Sequence, residues 1–212
     1  MKILNRKSLS ISDIKVITYG YFPDNRGFFT EPFRKSDLMD AVECGSIAGK
    51  EIVQINESFS NRGVMRGLHF QWNPYMGKLV RTISGHMVDM FLDIRIDSPT
   101  FGKISMYDMP ARDEEGYSEW IWIPPGFAHG NFFLKPSRIE YLCTGEYSPG
   151  CEAGISPLAP DIDWALCDAV CKDRFDALVK GGLILSEKDQ QGLSVTQWRE
   201  DPRSANFVYG SC

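Results

Sequence analysis

The chain of 212 residues holds only three histidines, no Cys-x-x-Cys pair and no excess of basic residues. Its 23 Lys and Arg stand against 28 Asp and Glu, a formal net charge of -5, so it lacks the dense basic surface of a sequence-independent nucleic-acid binder. A small anionic ligand remains open, because a few well-placed Arg and Lys can hold a diphosphate inside an acidic protein. No run of about 20 apolar residues occurs, which excludes a membrane-spanning helix. The start, Met1-Lys2-Ile3-Leu4-Asn5-Arg6-Lys7, has no sustained apolar stretch, so no secretory leader is expected. Internal repeats and low-complexity segments are missing too. The six cysteines are Cys44, Cys143, Cys151, Cys167, Cys171 and Cys212. Cys167 and Cys171 are one helical turn apart, and facing each other on a buried helix explains them without a metal or a disulfide. The expected compartment is the reducing cytoplasm.

What is present reads as strands. From about Lys50 to Tyr147, short β-forming runs alternate with turn signals such as Asn61-Arg62-Gly63, Ser84-Gly85 and Pro124-Pro125-Gly126. In Met87 to Arg95, Val88, Met90, Leu92 and Ile94 share one parity while Asp89, Asp93 and Arg95 share the other. That period of two gives a strand with one apolar face and one charged face. Lys78 to Ile83, Trp120 to Ile123 and Asn131 to Leu134 are further strands, and the set predicts an antiparallel sandwich or barrel. Helix signals lie on the flanks. Ser36 caps a short helix through Cys44, and Leu166, Val170, Phe175 and Leu178 predict a helix over Ala165 to Val179, stopped by Gly181-Gly182. The stretch beyond Asp173 is the most loosely specified.

His69, Lys78, Asp89 and His129 would all face inward in such a barrel. Ionisable groups are costly in a core, and where they gather they mark functional sites. Each has a plain structural alternative: a satisfied histidine, an exposed strand lysine, or, for Ser186-x-x-Asp189, the capping box of a helix.

Two resemblances bear on this cluster. Pro124-x-Gly126-x-x-His129 is similar to the second motif of cupins, jelly-roll barrels that often bind a metal. Metal-binding cupins supply a His-x-His pair, which this chain lacks, so a metal would need His69, His86 and His129 on one side of the barrel. The second resemblance spans about residues 15 to 150. Phe22-Pro23-Asp24-Asn25-Arg26-Gly27-Phe28-Phe29-Thr30-Glu31, Val53-Gln54-Ile55-Asn56-Glu57-Ser58 and Gly63-Val64-Met65-Arg66-Gly67-Leu68-His69-Phe70-Gln71 resemble, in order, blocks of the dTDP-4-dehydrorhamnose 3,5-epimerase family. Gly77-Lys78-Leu79-Val80-Arg81, Asp93-Ile94-Arg95 with Ser98-Pro99-Thr100-Phe101-Gly102, and Trp122 to Gly130 continue the series.

The resemblance implies a single-domain protein over 1–212. It would be a mostly β, cupin-type jelly-roll barrel (core about 15–150) with flanking helices and a C-terminal helical appendage over about 163–212. It implies an isomerase with no cofactor and no metal, acting on a nucleoside-diphosphate 4-keto-deoxysugar. His69 would be the base, oriented by Asp189, with Tyr141 as proton donor and Lys78 stabilising the enolate. Arg26, Glu31, Gln54, Asn56 and Arg66 would bind the nucleotide, and Asp89 and His129 would support the site. The early motif would reach a neighbouring subunit's site, which implies a homodimer. Three other readings stay open: a sugar-nucleotide 3,4-ketoisomerase, a sugar-nucleotide-binding protein without turnover, and a metal-dependent dioxygenase. The likeness weakens after Pro149. Ser156-Pro157-Leu158-Ala159-Pro160 replaces the usual segment, a helix-sized insertion separates Trp164 from Ser186, and Asn131 stands where an aromatic is usual.

Overall fold

Alternating apolar and polar side chains drive most of this chain into strands that bury one or both faces. The structure, a computed structural model, describes residues 1–41 and 51–211. Its strands in the first half are β1 (Ile3–Ser8), β2 (Lys15–Gly20), β3 (Phe22–Asp24), β4 (Gly27–Phe29), β5 (Gln54–Ser60), β6 (Met65–Gln71) and β7 (Lys78–Ser84). Then come β8 (His86–Asp93), β9 (Ile104–Pro110), β10 (Tyr117–Ile123), β11 (Phe127–Phe133), β12 (Ser137–Cys143) and β13 (Glu152–Gly154). The helices are α1 (Lys35–Ala41), α2 (Ala169–Gly182), α3 (Glu187–Gln190) and α4 (Val195–Glu200). Two antiparallel sheets form, one in the order β1-β2-β10-β7-β12-β5 and the other β13-β6-β11-β8-β9, while β3 and β4 make a separate hairpin. The architecture is the expected mostly β, cupin-type barrel with flanking helices.

Three apolar layers follow from strand parity. Between the sheets lie Val80, Phe91, Ile121, Phe127, Phe133 and Ile139. Outside the first sheet, Tyr19, Trp120 and Trp122 pack with Leu38 of α1. Outside the second sheet, Val88, Met90 and Leu92 pack with Phe175 of α2, Trp198 of α4 and Phe207.

That last layer changes one expectation, that of the tail. The apolar face of β8 is turned outward from the barrel, and the C-terminal segment covers it. The loosely specified tail is therefore core: Trp198 is fully buried, donates Nε1–H to the Ile94 carbonyl at 3.0 Å and meets Phe70 edge-on at 4.6 Å. Among helix boundaries, Ser36 lies inside α1 rather than capping it, and Cys44 falls outside the described residues. The expected helix at Ala165 begins at Ala169, because the Asp168 carboxylate accepts the Cys171 N–H at 2.9 Å as its N-cap. Cys171 is then buried on α2, whereas Cys167 lies just before it. Strand β11 starts at Phe127, four residues ahead of the expected Asn131, and so takes in His129.

Candidate active site

The inward faces of β5, β6, β7, β11 and β12 carry the polar residues of the barrel. Register fixes their layers: His69 is opposite His129, Tyr141 is opposite both Asn56 and Val80, and Cys143 is opposite Lys78 and Gln54. The approach of β6 to β11 demands glycine. A Cβ on Gly67 would sit 2.6 Å from the Gly130 Cα, and one on Gly130 would sit 2.5 Å from the Arg66 carbonyl. The glycines of Arg66-Gly67-Leu68-His69 and His129-Gly130 thus let two histidine-bearing strands come together.

The C-terminal segment closes this side. Ile184 exchanges backbone hydrogen bonds with Gly63 and Met65, and Leu193 with Gly154 and Ser156, so the chain between them runs past His69. The Ser186 hydroxyl oxygen caps α3 by accepting the Asp189 N–H at 3.1 Å. The Asp189 side chain then shares a hydrogen bond of 2.6 Å with His69 Nε2. Capping and the histidine contact, the two alternatives for Ser186-x-x-Asp189, coexist in one turn. Burial pushes the Asp189 carboxyl up, but bonds from His69, Ser186 and the Gly67 N–H outweigh it and hold the group below the usual carboxylate range.

A cavity of about 480 Å³ contains His69, Lys78, His129, Asn131 and Tyr141, walled by Ile184 and Leu185. An adjoining lobe is lined by Gln54, Asn56, Tyr147 and Glu152 and shares His69, Lys78 and Tyr141 with the first. Lys78 is thus an interior lysine. Burial pulls its pKa below the ordinary lysine value, against the opposing pull of Cys143, Asp89 and Glu152. Tyr141 is half-buried in the cavity instead of solvent-facing, and burial, reinforced by Cys143, raises its phenol. His129 Nε2 lies 2.7 Å from Asp89 Oδ1; burial pushes this ring's pKa down even with the carboxylate beside it.

Of the remaining expected site residues, Gln54, Asn56 and Arg66 line the cavity, with Gln54 Nε2 donating to Asn56 Oδ1 at 2.9 Å and Arg66 Nε to Ser60 Oγ at 2.9 Å. Arg26 and Glu31 do not. Arg26 sits at the tip of the β3–β4 hairpin, 84% exposed and bonded to Asp24, while Glu31 pairs with Arg34 and the N-terminus. His86 takes no part either. It lies on the outer face of β8, 2.6 Å from Asp108, so the three histidines do not converge. Among the described residues no group of three His, Cys, Asp or Glu is placed to hold a metal ion. Cys143 and Gln71 went unmarked in the sequence, although each is two residues from an expected site residue on the same strand. Gln71 fixes the following loop through Pro74, Glu146 and Ser148.

Comparison with known proteins gives consistent matches. The family model described as dTDP-4-dehydrorhamnose 3,5-epimerase matches residues 8–197. The enzyme of that name from Neisseria gonorrhoeae is 40% identical over 199 residues, covering 92% of this chain, and the chain spans only 53% of that relative's length. The one from Shigella flexneri is 37% identical over 177 residues, covering 81% of this chain and 92% of the relative. Among solved structures, the dTDP-6-deoxy-D-glucose-3,5-epimerase RmlC of Legionella pneumophila Philadelphia 1, in complex with dTDP-4-keto-L-rhamnose, aligns with a TM-score of 0.74 at 32% identity, covering 91% of this chain and 93% of its own. NovW of Streptomyces spheroides, a 4-keto-6-deoxy sugar epimerase, aligns with a TM-score of 0.78 at 26% identity, covering 100% and 96%.

Proposed function

Because the chain belongs to the dTDP-4-dehydrorhamnose 3,5-epimerase family, a family of isomerases, we propose that it inverts C3 and C5 of dTDP-4-keto-6-deoxyglucose. The observation that carries this reading is the His69–Asp189 pair in the same cavity as Tyr141 and Lys78.

A proton on the carbon beside the C4 carbonyl is acidic because its electron pair delocalises onto the carbonyl oxygen as an enolate. With Nε2–H donated to Asp189, the lone pair of His69 falls on Nδ1, which takes that proton; the carboxylate then stabilises the imidazolium. Lys78 donates to the enolate oxygen, where a cation in an enclosed site acts far more strongly than in water. Tyr141, kept a phenol by its burial, returns a proton to the opposite face of the same carbon. One proton leaves and another arrives, no electrons change hands, and the centre inverts without a cofactor. His129 and Asp89 support the floor of the cavity.

Arg66, Gln54 and Asn56 would hold the nucleotide diphosphate, Arg66 by its planar fork. Arg26 and Glu31, remote from this chain's own cavity, fit a homodimer in which the β3–β4 hairpin serves the partner's site. The reaction is assigned to the cytoplasm. Among the described residues no helix is long and apolar enough to cross a membrane.

Incubation with dTDP-4-keto-6-deoxyglucose, followed by proton NMR of the sugar, tests the reading. Inversion at C3 and C5 is expected. A carbonyl moved to C3 would mean a 3,4-ketoisomerase, and binding without reaction a non-catalytic sugar-nucleotide binder.

A further inference from the structure

Along the inward face of β11 the residues are Phe127, His129, Asn131 and Phe133. The two phenylalanines join the apolar core and His129 bonds to Asp89. Asn131 is different: only 4% exposed, it lines the cavity, and its Oδ1 is buried with no hydrogen-bond partner among the described residues. An unpaired buried amide is costly, and chains rarely keep one without use.

Two further buried oxygens of the barrel also lack a partner. Asp89, opposite Asn131 across the β8–β11 ladder, uses Oδ1 for His129 and leaves Oδ2 buried and unpartnered. Ser58 Oγ, on β5 across the same cavity, is also buried without a partner. All three atoms can accept a hydrogen bond, and none has a partner among the described residues. Asn131 is one inward position beyond His129, about 7 Å along the strand. A ligand reacting at His69, whose β6 position faces His129, thus reaches Asn131 with a neighbouring part of the same ring. The missing donor is neutral in the simplest accounting, since Lys78 and Arg66 already line this cavity and would repel an ammonium group.

Resting on the epimerase reading, we infer that Asn131, with Ser58 of the same cavity lining, forms a subsite that reads a ring hydroxyl of the sugar and rejects sugars lacking it. A pocket built to hydrogen-bond a hydroxyl discriminates strongly against the deoxy analogue, because its own polar atoms are then left unpaired.

The test measures binding by titration calorimetry, independently of turnover, using dTDP-L-rhamnose and its 2-deoxy and 3-deoxy analogues. Wild-type protein is expected to bind one deoxy analogue about 10- to 100-fold more weakly than the parent. Asn131→Leu is expected to bind the two alike, and Ser58→Ala, a smaller change that preserves the fold, to lose part of the discrimination. If wild type binds parent and both analogues within about twofold, or the variants discriminate as wild type does, the subsite is wrong and Asn131 holds only a structural water. If wild type binds none of the three, the epimerase reading falls and the subsite with it. Proton exchange at C3 or C5 in wild type, without discrimination, removes the subsite alone.

Discussion

Lys78 enters the cavity from β7 with its pKa pulled down by burial. In the unfolded chain the group would titrate at its ordinary value, so folding carries a cost for burying the charge. That cost is complete below the folded-state pKa, shrinks as pH rises between the folded and unfolded values, and is gone above both. Lys78→Met should therefore raise the Tm at neutral pH, by ~2–4 °C for each kcal/mol recovered, and the gain should narrow as pH approaches 10. Thermal unfolding of both proteins across that range checks it, and a lowered Tm at neutral pH would show a structural lysine. At this scale the sequence was informative where alternation applied: His69, Lys78, Asp89 and His129 share the inward parity of their strands, whereas Tyr141 was reached through the family likeness. Asp189 was legible only through the family likeness, because its contact with His69 spans 120 positions and no local pattern encodes it.

Helix α3 is a single turn, too short to be stable alone, yet it carries the carboxylate that meets the proposed base. Its Ser186 cap and the backbone bonds of Ile184, just before it, to Gly63 and Met65 hold it in place. Asp189→Asn keeps the cap and removes the charge, so kcat should fall on the order of 100-fold or more with KM nearly unchanged. Ser186→Ala removes about 1 kcal/mol of capping and should lower kcat less, and Ser186→Thr should restore it. Steady-state kinetics on the three variants separates these outcomes; an equal loss of KM and kcat in all would mean general disorder of the segment. The tail's elements are four to six residues long and owe their form to packing on the second sheet, through Trp198 and Phe207. Periodicity over so few residues carries little signal. The barrel strands, by contrast, were legible because seven or eight alternating residues define a face, and β11 was placed late because His129-Gly130 interrupts its apolar run.

At the scale of the whole molecule, the exposed apolar side chains among the described residues include Phe22, Phe28 and Phe29 on the β3–β4 hairpin, and Ile55 and Phe59 on β5, an edge strand of the first sheet. Exposed edges and apolar patches of this kind are normally covered, which supports the homodimer. If the partner's hairpin completes each site, mixing His69→Ala with Arg26→Ala protomers should recover about a quarter of wild-type activity, since half the dimers then hold one intact site. No recovery after subunit exchange, measured against each inactive parent, would place Arg26 in its own protomer's site.

The central claim, proton abstraction by His69 with return from Tyr141, is tested most directly by solvent deuterium incorporation. The sugar of dTDP-4-keto-6-deoxyglucose is followed by proton NMR in heavy water. Wild type should lose the C3 and C5 proton signals as the centres invert; His69→Asn should lose neither; Tyr141→Phe should still exchange while inverting slowly or not at all. Undiminished exchange in His69→Asn would contradict the account, because the base would then lie elsewhere.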